Sequence, residues 1–63
     1  MLIYFTDAIT KQQIAINPTY VTAVFELQEG EHLGKTVISL VGGTLIVDEY
    51  LIDAVGALQG QLK

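Results

Sequence analysis

Apolar positions along this chain recur in two ways, every second residue in short runs up to position 47 and every three or four near the end. Leu2 to Thr6 is β-branched and aromatic and predicts a first strand. Asp7 to Gln12 is polar and predicts a loop. Gln13 to Asn17 alternates, with Ile14 and Ile16 on one face, and predicts a short second strand paired to the first. Asn17-Pro18-Thr19-Tyr20 is a helical start signal, since Asn suits an N-cap and Pro the first helical position. A single helical turn there brings Ile16, Val21 and Val24 near one another. Val21 to Gln28 predicts a third strand, with Val21, Ala23, Phe25 and Leu27 on one face and Thr22, Val24, Glu26 and Gln28 on the other. Glu29 to Lys35 holds two glycines among charged residues and predicts a mobile, solvated loop.

Thr36 to Asp48 is the strongest local signal. Two apolar runs flank Gly42-Gly43, and such a pair supplies the positive φ angles of a tight hairpin turn. With those glycines at the turn, Leu40 faces Leu45 and Ile38 faces Val47. One face is then Ile38, Leu40, Leu45 and Val47, wholly apolar. The other is Val37, Ser39, Val41, Thr44 and Ile46, mixed but still greasy. Asp48 is placed to cap a final helix from Glu49 onward, and acids at its start suit the helix dipole. Leu51, Val55, Leu58 and Leu62 recur at helical spacing, and Ile52 widens the stripe. Gly56 and Gly60 each cost about 1 kcal/mol against Ala in a helix interior. They are read either as a flat groove for a close-approaching backbone or as the fraying of the terminal turns. The expected architecture is an α+β, mainly β domain spanning 1–63. About five short antiparallel strands form a small sheet or barrel, with a C-terminal amphipathic helix over one face.

Length changes what this core can do alone. A chain of 63 residues buries only about 60% of its unfolded surface, and small domains commonly add disulfides, a metal or a partner subunit. The sequence has no Cys and one His, and its hydrophobic fraction is 51%. Oligomerisation is therefore the expected supplement, through the second hairpin face and the helix glycines: Val37, Val41, Ile46, Gly56 and Gly60. A dimer is the default closed symmetry and a larger ring the alternative.

Charge narrows the partners. Three lysines and no Arg stand against seven carboxylates, for a net charge of −4. Nucleic-acid binding draws affinity from neutralised phosphates and much of its base readout from Arg, so this composition argues against it. Only a ring of subunits could line up Lys11 or Lys35. No basic leader precedes the first apolar run, and none approaches the ~20 residues of a membrane span. A cytoplasmic protein is expected, and the absence of Cys suits a reducing compartment.

Candidate chemistry is sparse. Glu29-Gly30-Glu31-His32 is the one cluster with metal-ligand character, read chiefly as a solvated tip next to Gly. Asp48, Glu49 and Asp53 are read as helix capping and a solvated face rather than a catalytic carboxylate pair, which needs a cleft. Ser39 and His32 lack nucleophile context, and Gly42-Gly43 lacks phosphate-loop spacing. Tyr4, Tyr20 and Tyr50 are expected at an interface or a ligand pocket. No cofactor, no metal and no enzymatic turnover are expected. If a small anion is bound, Thr10, Lys11 and Lys35 would contact it between subunits.

Ile16-Asn17-Pro18, Val21 and Val24, Thr36-Val37-Ile38-Ser39-Leu40, Gly43, Ile46-Val47, Glu49 and Val55 together resemble the small flagellar FlbD family. The layout is also similar to short proteins of tailed phages. The resemblance covers about three quarters of the chain, in residues that make the fold. The chain departs from the flagellar family by its longer Glu29–Lys35 loop and its hairpin without basic residues. The phage resemblance implies an accessory role in host takeover or counter-defence, by inhibiting a host protein or sequestering a small signal molecule. The expected function is thus a small non-catalytic oligomeric binding protein. A structural self-assembling subunit or a FlbD-like regulator is the alternative.

Overall fold

The computed structural model describes residues 2–61. The described residues form five strands and one C-terminal α-helix, an α+β, mainly β fold. The elements are β1 (Ile3–Thr6), β2 (Gln13–Ile16), a 3-10 turn (Pro18–Tyr20), β3 (Val21–Glu26), β4 (Thr36–Leu40), β5 (Gly43–Val47) and α1 (Leu51–Gln61). One antiparallel sheet is β1-β2 and the other β3-β4-β5. They join where Asp7 bridges Val47, the Asp48 N–H donates to the Thr6 carbonyl at 2.8 Å, and the Ala8 N–H donates to the Ile46 carbonyl at 2.9 Å. Through this bridge the strands follow one another in the order β2-β1-β5-β4-β3, which among the described residues leaves β2 and β3 at the edges.

The 3-10 turn connects those two edges. Asn17 caps it as its type dictates, its Oδ1 accepting from the Thr19 N–H at 3.0 Å, with Pro18 in the first turn.

The hairpin pairs Leu40 with Gly43, Ser39 with Thr44, Ile38 with Leu45, Val37 with Ile46 and Thr36 with Val47. The turn residues are therefore Val41 and Gly42, not Gly42 and Gly43. Gly42 alone has positive φ, at 96°, as the third position of a type II turn requires. The pairing differs from expectation by two residues, an even number, so every side chain keeps its expected face. Ile38 and Val47 have no exposed surface, and Leu40 and Leu45 pack beside them.

β3 departs from simple alternation. Its register slips between Val21 and Ala23, so Val21 pairs with Leu40 and Val24 with Ile38. A bulge places an extra residue on one strand and inverts the side-chain alternation beyond it. Val21 and Val24 consequently share the core side, while Ala23 and Phe25 share the other. The expected division of β3 into two faces fails at this bulge.

The core is Ile3, Phe5, Ile16, Ile38, Val47, Ala54 and Leu58, with Ile14, Val21, Val24, Leu40 and Leu45 packed against it. Fully burying a side chain such as Ile38 contributes about 1.5–3 kcal/mol. The helix lies against β3 and β1. Its buried line is Ala54 and Leu58, with Leu51 and Val55 half-buried at its flank. Ile52, expected to widen the stripe, is 81% exposed, because it lies two residues from Ala54 and so about 200° around the helix. Leu62 lies outside the described residues.

The helix begins at Leu51, so Asp48 and Glu49 precede it and Asp48 is not its cap. Helical geometry runs through Gly56 to Gln61, and a Cβ at Gly56 or Gly60 would meet nothing within 4 Å. Among the described residues, no other segment of the chain therefore approaches either glycine closely. No helix among the described residues is long and apolar enough to cross a membrane.

Candidate functional site

The turn after β1 is built by Asp7. Its Oδ1 accepts from the Ile9 N–H at 2.7 Å and the Thr10 N–H at 3.0 Å, while the Lys11 N–H donates to the Asp7 carbonyl at 2.9 Å. These bonds hold the Asp7 carboxyl below its ordinary pKa, Thr10 contributing most and Ile9 next. Closing this turn puts Lys11 at φ 64°, a left-handed conformation that costs a non-Gly residue about 1–2 kcal/mol.

Lys11 then reaches β5's end. Its Nζ donates to both carboxylate oxygens of Asp48, at 3.1 and 3.0 Å. Lys35 approaches the same carboxylate from the loop before β4, at 3.5 Å, and donates to the Asp48 carbonyl at 3.4 Å. The Lys11 hydrogen bond, supported by the charges of Lys11 and Lys35, holds the Asp48 carboxyl below its ordinary range. Lys35 Nζ also lies 5.5 Å from the Tyr50 ring centroid, within cation–π range.

The expected anion contacts are thus gathered at one end of the molecule, but around a carboxylate that already occupies both lysines. The Thr10 N–H is committed to Asp7, and its hydroxyl oxygen accepts from the Gln12 N–H at 3.3 Å. An incoming anion would compete with Asp48 for both lysines, of which Lys11 keeps 66% of its side chain exposed. Asp48 reads locally as a helix cap, because a partner 37 residues away leaves no local signature.

Two clefts open elsewhere, on either side of the 3-10 turn. One, of about 380 Å3, is lined by Ala15, Ile16, Asn17, Tyr20, Leu40 and Val41. The other, of about 240 Å3, runs between β3 and α1 and is lined by Pro18, Val21 to Val24, Val55, Leu58 and Gln59. Among the described residues neither is lined by a charged residue or by Thr10, Lys11 or Lys35. The tyrosines separate: Tyr20 lines the first cleft, Tyr50 meets Lys35, and Tyr4 stands exposed on β1.

The residues expected at an oligomer interface also divide. Val37 sits in the central strand between Phe25 and Ile46 and is buried within the chain, so it offers no side chain to a second copy. Ile46 is half-buried, while Val41, Gly56 and Gly60 are exposed. Glu29 and Glu31 are exposed, and His32 is half-buried in a loop closed by turn hydrogen bonds, including Lys35 N–H to the His32 carbonyl at 2.9 Å. Among the described residues no three His, Asp or Glu side chains come together as metal ligands. Ser39 receives a hydrogen bond from the Thr22 hydroxyl at 3.2 Å.

No family model, curated protein or solved structure matches this chain at a significant level.

Proposed function

We propose that this chain is a small non-catalytic binding protein that works as a homo-oligomer, through apolar surface rather than through its charged cluster. One observation carries the reading: among the described residues both clefts are uncharged, and each is flanked by large apolar side chains left outside the core. Tyr20 and Val41 stand 57% and 72% exposed at the first cleft. Ile52 lies on the flank of α1 beside Val55 and Gln59, which line the second. Apolar surface of this kind marks interaction sites more than it marks a finished monomer. The lysines, held by Asp48, support a small-anion site less well.

Within this reading, stoichiometric binding of a partner protein is favoured over sequestration of a signal molecule. Native mass spectrometry of material purified from cells is the test. The expected result is two or more copies, carrying a partner protein. A bare monomer with no bound molecule would overturn the proposal, and an oligomer carrying nothing else would make self-assembly the function.

A further inference from the structure

We infer that the free edge of β3 pairs with β3 of a second copy, antiparallel and in one register, so that the β3-β4-β5 sheets of two chains join into six continuous strands. This rests on the homo-oligomer proposed above and names its interface.

The backbone supplies the first argument. The Tyr20 carbonyl accepts from the Val41 N–H at 3.1 Å, and the Leu27 N–H donates to the Lys35 carbonyl at 2.8 Å. Alternation along an antiparallel ladder then makes Glu26–Thr36 and Val24–Ile38 non-hydrogen-bonded pairs. Val24 and Glu26 therefore aim their N–H and C=O groups away from β4, at the open edge, where the Glu26 carbonyl accepts from the Gln28 side-chain amide at 3.2 Å. Protein edges are usually guarded by charge, Pro or an inward-turned charge. No charged residue occurs from Asn17 to Phe25, and β3 carries only Glu26 at its end.

The uncharged strand is complementary to its own copy, and charge sets the register. Each chain carries −4, so two copies approach most readily over uncharged surface, and β3 with the adjoining groove provides it. A two-fold axis through Val24 pairs Val24 with its own copy, both with outward-pointing N–H and C=O, which closes two hydrogen bonds. Ala23 then faces Phe25 of the second copy on the outer side. Glu26 lies opposite the bulge at Thr22 of the second copy, beyond the regular pairing, so no two carboxylates oppose one another. On the inner side the arriving strand lies in the groove against Val55, Leu58 and Gln59. An interface of this type is isologous and closes at two copies.

The test uses the natural absence of Cys. Ala23→Cys and Phe25→Cys are made in separate chains and oxidised singly and mixed. In the inferred register positions 23 and 25 of opposite copies form a close non-hydrogen-bonded pair, within disulfide reach. The mixture should give a covalent dimer, while each variant alone, with its thiols offset along the strand, should give at least tenfold less. Glu26→Pro removes an outward N–H without breaking the β3–β4 ladder and should return the mass from twice 6.9 kDa to that of one chain. If the wild type sediments as a monomer, the homo-oligomer itself fails. If it is oligomeric but the mixture cross-links no better than the single variants, this interface is wrong while the oligomer stands. Should Glu26→Pro fail to fold, the cross-linking comparison decides alone.

Discussion

Both carboxylate oxygens of Glu49 accept from the Thr6 N–H, at 3.0 and 3.1 Å, across 43 residues of sequence. This contact fastens the segment before α1 to the last residue of β1. It is reinforced by Thr36, fully buried, whose hydroxyl donates to the Glu49 carbonyl at 2.8 Å. Replacing Glu49 by Ala leaves a part-buried N–H without its acceptor, a loss of about 1–3 kcal/mol. Glu49→Gln keeps one acceptor oxygen and should recover part of that loss. Urea titration of the three proteins measures it, and an unchanged midpoint for Glu49→Ala would remove the contact from the stability of the fold.

The hairpin turn separates its two glycines. Gly42 holds φ 96°, whereas Gly43 has ordinary φ, and added Cβ atoms would meet nothing within 4 Å at either. Gly42→Ala should destabilise through backbone strain by about 1 kcal/mol, while Gly43→Ala should be neutral or slightly stabilising. Equal losses at both positions by thermal melting would restore the turn to Gly42-Gly43.

Burial grades the two inward residues of β4. Ile38 has no exposed surface, while Leu40 is half-buried beside the turn. Ile38→Ala should cost about 2–5 kcal/mol, enough to unfold a domain of this size, and Leu40→Ala distinctly less. Circular dichroism melts of the pair give the ordering, and the reverse order would contradict this packing.

Acid should weaken the fold through Asp7 and Asp48. Both have folded pKa values below their ordinary 3.8, from the Thr10 and Ile9 amides at Asp7 and from Lys11 first at Asp48. A depressed carboxylate contributes stability that is present above its unfolded pKa and is lost as pH falls through the folded pKa. Stability should therefore hold near neutrality and decline below about pH 4. Asp48→Asn should flatten part of that decline in melts recorded from pH 7 to pH 3. An identical profile would show that the Lys11–Asp48–Lys35 cluster does not contribute to it.

Much of the layout was legible without coordinates. Asn17-Pro18 announced its helical turn because a capping side chain acts over two residues. The hairpin faces were legible although the turn was misplaced, because a shift of two leaves period-two alternation intact. The face of β3 was not, since nothing in Val21-Thr22-Ala23 marks a bulge that only pairing with β4 imposes.

The sequence by itself determined which residues were apolar, where the chain turns, and hence the order of five strands and a helix. Those are local properties, set by backbone preference and short-range periodicity. Tertiary structure alone decided that Lys11 and Lys35 both meet Asp48, that Glu49 holds Thr6, that Val37 is buried between Phe25 and Ile46, and that Ile52 faces solvent. Each of those depends on strands closing over tens of residues. A charged or apolar side chain then takes whichever partner the closed chain brings within a few ångströms, and its neighbours in sequence carry no record of that choice.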